Sequence, residues 1–187
     1  EFIKKGDFRK SDFSGNSFDV ITMWHSLEHV EDPLGYLIEA ERVLKDGGVL
    51  IAEIPNFWSW QARIFRENWF HLDVPRHLFH FSPKSISILF RKAGLENIRI
   101  RRSSLIYGFF GCLQSALNVF SVRKNLFFDF LNNKVSLGGM YKDNRKDLFI
   151  NIILFIPALI VSIALFLAET SMGRSGIILV LGHKSVK

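Results

Sequence analysis

Phe18-Asp19-Val20-Ile21-Thr22-Met23-Trp24, then His25-Ser26-Leu27-Glu28-His29-Val30-Glu31-Asp32-Pro33, then Leu34 through Gly48, is the stretch that decides the fold. Its first seven residues are mostly apolar, include β-branched members and follow a turn sequence at Ser14-Gly15-Asn16-Ser17, so they read as a buried parallel strand. Asp32 suits an N-cap and Pro33 the first helical position. Leu34, Leu37, Ile38, Val43 and Leu44 then recur on one helical face, with Gly47-Gly48 as the expected stop. Val49-Leu50-Ile51-Ala52-Glu53-Ile54 is a second strand. Strand, helix and strand in direct succession make a βαβ unit, whose crossover is right-handed in nearly all proteins, so the fold class is α/β with a parallel sheet.

Working outward, Ser82 and Pro83 repeat the same start signals, and Ile86, Leu89, Phe90 and Ala93 before Gly94 predict a further helix. Leu95 to Arg101 alternates weakly as a strand, and Ile177-Ile178-Leu179-Val180-Leu181 reads as a final buried strand. Between them the composition changes: Leu105 to Phe120 and Leu148 to Ala168 are largely apolar, and many of the 19 Phe lie beyond Leu105. The expected organisation is a core over 1–104, an apolar helical insertion over 105–176, and a last strand with a tail over 177–187. Phe57, Trp58, Trp60, Phe65, Trp69 and Phe70 read as an amphipathic helix over a sheet edge or as an apolar pocket.

With 187 residues, 48% hydrophobic and 22% charged, the chain suits a folded domain rather than a disordered one. The net charge of +6 is spread over pairs such as Lys4-Lys5, Arg91-Lys92, Arg123-Lys124 and Arg145-Lys146, which argues against a nucleic-acid patch. One cysteine, Cys112, excludes an internal disulfide and a thiol metal cluster, and a reducing cytoplasm fits. Glu1-Phe2-Ile3-Lys4-Lys5 has neither an initiator Met nor the order of a signal peptide, so the expectation is that the protein continues upstream.

Gly6-Asp7-Phe8, the run from Phe18 to Pro33, Arg42-Val43-Leu44-Lys45-Asp46-Gly47-Gly48 and Ile54-Pro55-Asn56 occur in an order that closely resembles the class I S-adenosylmethionine-dependent methyltransferase family. The stretch from Trp69 through Pro83 is similar to a subgroup of it. By that resemblance, Phe18–Trp24 and Val49–Ile54 are the fourth and fifth strands of a seven-stranded Rossmann-like sheet. Asp7, Phe8, Trp24, His25 and Ser26 then border the cofactor, S-adenosylmethionine, at the switch point outside the strand ends. The family's G-x-G loop and its ribose-binding acidic residue have no counterpart here, so the expectation is a C-terminal portion that binds cofactor poorly alone.

The segment that resembles the family's cap carries Asp73, His77 and His80, the expected catalytic residues, with His77 first because an imidazole titrates near neutral pH. The expected acceptor is a small or lipid-linked molecule. A non-catalytic binding module with the same sheet is the alternative. His25-Ser26-Leu27-Glu28-His29 also matches H-x-x-E-H, the pattern of a zinc-dependent membrane peptidase, but that chemistry needs the motif within one helix, so no metal site is expected. Leu148–Ala168 is long enough to cross a bilayer, yet a final strand returning to the sheet excludes a single span. Packing against the domain, interfacial membrane contact, or two crossings with Leu105–Phe120 remain open, and a peripheral place on the cytoplasmic membrane face is an expectation.

Overall fold

The computed structural model describes residues 5–102 and 105–186. Two compact units share the chain. The first is built from Glu1–Pro55, Arg76–Arg101 and Ile178–Lys187, and the second from Asn56–Pro75 and Arg102–Ile177. The second unit thus takes Asn56–Pro75 in addition to the apolar region, a division that chain order alone does not show.

The first unit begins with β1 (Phe18–Trp24), α1 (Pro33–Val43) and β2 (Leu44–Pro55). β1 and β2 pair in parallel, as the βαβ reading requires. Asp32 caps α1 by accepting from Gly35 N at 2.9 Å, and Pro33 opens the helix. The helix stops earlier than Gly47-Gly48: Leu44 is already extended at φ −66°, ψ 142° and starts β2. The glycines instead occupy the irregular part of β2, where the register jumps from Phe18↔Leu44 to Val20↔Val49. Gly47 needs its φ of +76°, and a side chain on Gly48 would meet the Asp19 carbonyl at 3.1 Å.

After α2 (Trp60–Phe65), in the second unit, come α3 (Pro83–Lys92) and β3 (Leu95–Arg102). Ser82 and Ser85 cap each other reciprocally at the start of α3. The second unit continues with α4 (Leu105–Phe120), α5 (Leu126–Leu131), α6 (Leu137–Asp143) and α7 (Arg145–Met172), before β4 (Ile177–Lys184) closes the chain. The sheet order is β1-β2-β4-β3, so the last strand inserts between its predecessors. Leu37, Leu44, Leu50, Ile54, Ile86, Phe90 and Val180 form the core of the first unit. Among the described residues β1 has one strand neighbour, β2, and Val20 and Trp24 are exposed.

The second unit has its own core around Phe65, Trp69, Cys112, Leu113 and Leu117. The aromatic segment splits: Trp60–Phe65 is α-helical, Phe70–Leu72 is a 3-10 turn, Trp69 is buried, and Phe57 and Trp58 are exposed. Gln61 donates to both carboxylate oxygens of Glu169, each at 2.7 Å, through its backbone and side-chain nitrogens. On α7, the buried Asp147, Asn151, Ala158, Ser162 and Glu169 recur at helical spacing. Asp147 accepts from Val122 N and Arg123 N at 2.9 Å each, and Asn151 donates to Ser121 Oγ at 2.9 Å. The polar stripe of α7 therefore faces inward, while Ile152, Ile153, Ile156, Ile160, Val161 and Leu167 are exposed.

Candidate active site

At the carboxyl end of β1 lies a cleft of about 310 Å³, bordered by Phe8, Ile21, Thr22, Met23, Ser26, Leu27, Val30 and Tyr36. That size is at the small end of ligand sites, and a mainly apolar wall with a few polar groups is their usual chemistry. Strand β1 supplies Ile21, Thr22 and Met23, and the turn after it supplies Ser26 and Leu27. Phe8 and Tyr36 close the other side, from the first turn of the chain and from α1. Ligands in open α/β sheets collect outside such strand ends.

Asp7 stands next to this wall. Its side chain accepts from Arg9 N at 3.0 Å and pairs with the Arg9 guanidinium at 3.2 Å. Hydrogen bonds from Tyr36 and then Arg9 hold its pKa at about 2, so the carboxylate is ionised throughout the neutral range. Arg9 also reaches Asp32 at 3.1 Å and lies 4.9 Å over the Tyr36 ring. Of the expected cofactor residues, Phe8 and Ser26 line the cleft and Asp7 adjoins Phe8. Trp24 ends β1 with an exposed ring, and His25 engages a different set of groups. Ile21, Thr22, Met23, Leu27, Val30 and Tyr36 were not expected. Tyr36 alone carried a usable signal, an aromatic one turn after the Asp32 cap.

His25 leaves β1 at φ +45°, and its backbone N–H donates to the Glu53 carbonyl at 3.0 Å. This turn places the imidazole between two acids: Nδ1 is 3.4 Å from Glu28 Oε1 and Nε2 is 3.0 Å from Glu53 Oε1. Both carboxylates are buried. Burial alone would lower the His25 pKa, but Glu28 and then Glu53 outweigh it and hold the imidazolium above its usual 6.5. The two acids thus favour its protonated form.

The 3-10 turn Leu27–His29 carries Glu28 inward. Leu78 N and Phe79 N both donate to the Glu28 carbonyl, at 2.8 and 3.2 Å. His29 Nδ1 lies 3.0 Å from the Arg76 carbonyl, and the rings of His29 and His77 meet edge-on at 4.7 Å. His80 follows, its ring 6.3 Å from that of His77. Two expected catalytic residues, His77 and His80, are thus gathered onto the turn beside the cleft wall. Asp73 belongs to the second unit, at a left-handed position with φ +37°. The H-x-x-E-H set fails as a peptidase site, because His25 sits in the bend after a strand and His29 ends a 3-10 turn, so they share no helix face.

A family model described as a methyltransferase domain matches residues 2–100, more than half of the chain. Over 91 residues the chain is 33% identical to a ubiquinone biosynthesis O-methyltransferase from Cereibacter sphaeroides, a match that covers 46% of this chain and 37% of that relative. Among solved structures, a SAM-dependent methyltransferase from Thermotoga maritima superposes with a TM-score of 0.56 at 18% identity, covering 98% of this chain and 64% of the other. A phosphoethanolamine N-methyltransferase from Haemonchus contortus in complex with S-adenosyl-L-methionine gives 0.51 at 13% identity, covering 96% and 36%. At such identities the likeness shows the fold, here a C-terminal portion of a Rossmann-like sheet. The chain spans well under two thirds of the curated relative's length.

Proposed function

The chain belongs to the class I S-adenosylmethionine-dependent methyltransferase family, and on that premise we propose that it carries the acceptor-facing half of an enzyme that methylates an oxygen of a small or lipid-linked molecule. The observation that carries this reading is the cleft at the end of β1, continuous along the chain with the turn onto which His77 and His80 are strapped. The O-methyltransferase relative favours oxygen over nitrogen or carbon as acceptor.

When bound, S-adenosylmethionine supplies an electrophilic methyl carbon on a sulfonium. The residues present fit part of it: Phe8, Met23 and Tyr36 offer an apolar wall, and Thr22 and Ser26 offer hydroxyls. A glycine loop and a ribose-binding carboxylate are absent from the sequence, and the one nearby acid, Asp7, is committed to Arg9 and Tyr36. The chain by itself therefore holds only one side of the cofactor. With the cofactor bound, His77 would accept the acceptor hydroxyl's proton. Much of the rate comes from alignment of acceptor and sulfonium.

The test is methyl transfer by the complete protein to a panel of phenolic acceptors, with His77→Ala alongside. The variant should lose about 10²- to 10⁴-fold in turnover, the range for a general base, with cofactor affinity nearly unchanged. Unaltered turnover removes His77 from the mechanism. A non-catalytic binding module is the second reading, and no transfer to any acceptor by the complete protein would support it.

The localisation we propose is the cytoplasmic face of a membrane, contacted peripherally through α7. The helix is long and apolar enough to cross a bilayer by length and composition, but β4 returns to the sheet, and the inward polar stripe leaves only the apolar side outward. Such a face suits an interfacial helix, and it would bring a lipid-linked acceptor to the enzyme.

A further inference from the structure

We propose that Glu28, His29 and His77 form a binding site for one divalent cation of the zinc class. Each residue offers one ligand atom, and these atoms all lie within 4.8 Å of one another. Glu28 is 1% exposed, and no donor meets hydrogen-bond geometry at either carboxylate oxygen; the nearest cationic group is His25, whose Nδ1 lies 3.4 Å from Oε1. A buried carboxylate left without donors costs free energy, and a cation bound directly to it removes that cost. His29 Nδ1 is engaged with the Arg76 carbonyl at 3.0 Å. That contact orients the ring and leaves the lone pair on Nε2, the arrangement common among metal-bound histidines.

Two imidazoles and one carboxylate match the donor set of zinc sites that keep a fourth position open, whereas magnesium and calcium favour oxygen ligands. A tetrahedral ion with bonds of about 2.0–2.1 Å spaces its ligands about 3.4 Å apart. Exposed His29 and half-buried His77 can close the remaining distance by side-chain rotation. This set is not the H-x-x-E-H pattern. His77 replaces His25 and arrives on the strap that Leu78 and Phe79 tie to the Glu28 carbonyl. An ion that takes the His77 lone pair removes it as a base, so bound zinc blocks the role given to His77 in the methyl-transfer reading on which this rests.

The full chain, stripped of metal, is titrated with Zn²⁺ by calorimetry and with Co²⁺ by visible absorption. One ion per chain is expected. His29→Ala and His77→Ala should each weaken affinity at least about 100-fold, beyond the 10- to 100-fold typical of a supporting group, while His25→Ala should cost less than about tenfold. Far-UV circular dichroism confirms that the exposed and half-buried variants remain folded, and Glu28→Gln is the third ligand test. Absence of stoichiometric binding, or a loss that follows His25 instead of His77, overturns the proposal. Zinc titration needs no methyl transfer, and transfer is assayed without zinc, so the failure of one reading is separable from that of the other.

Discussion

Replacing Ile153 and Ile160 together by Gln tests whether the outward face of α7 meets a lipid surface. The two side chains are 70% and 62% exposed, so the folded chain loses little when they change. Gln is also a good helix former and adds no charge. Full burial of an isoleucine is worth about 1.5–3 kcal/mol, so moving the exposed fractions of both into a bilayer is worth about 2–4 kcal/mol in total. At 1.4 kcal/mol per tenfold, the double variant should partition to vesicles about 30- to 700-fold more weakly than the parent. The assay is co-sedimentation with liposomes of mixed zwitterionic and anionic phospholipid at fixed ionic strength. Far-UV circular dichroism and the denaturant midpoint should match those of the parent. Equal partitioning of parent and variant would refute the reasoning, as would a parent that does not bind vesicles.

Two further outcomes follow from the first unit. His25 should titrate above 6.5 by NMR, and Glu53→Gln should lower that value by removing one of the two acids around it. Because the folded-state pKa is raised, this stabilisation is fully present below pH 6.5 and is lost as pH rises through the folded value. The denaturant midpoint of the parent should therefore fall more across that window than that of Glu53→Gln, and a parallel fall would sink the assignment. Phe90→Ala, at a fully buried ring in the first core, should cost about 3–5 kcal/mol in denaturant unfolding; a loss below 1 kcal/mol would mean the core is not packed as described.

Local signals carried the element starts. Asp32-Pro33 and Ser82-Pro83 place the beginnings of α1 and α3 because a cap and its first turn lie within four residues of each other. The apolar runs at Phe18, Val49 and Ile177 likewise mark β1, β2 and β4. The end of α1 was misread, because Gly47-Gly48 looks like a helix stop but serves the irregular pairing with β1, a long-range matter. The resemblance named Phe8 and Ser26, which line the cleft, and His77 and His80, which lie near the turn after β1. The acids around His25 were not legible, since their pairing depends on which strand comes to lie alongside.

By itself, the sequence determined the α/β class, the family, and the existence of a long apolar helix before the last strand. Those follow from hydrophobic periodicity, caps and motif order, all of which act over a few neighbouring residues. Only the tertiary structure decided that β4 inserts between β2 and β3, that the polar stripe of α7 faces inward, and that His77 meets Glu28 and His29 while His25 turns between Glu28 and Glu53. The physical reason is chain closure. Which distant segments meet is set by packing two apolar cores and by satisfying buried backbone groups, such as the Glu28 carbonyl held by Leu78 and Phe79.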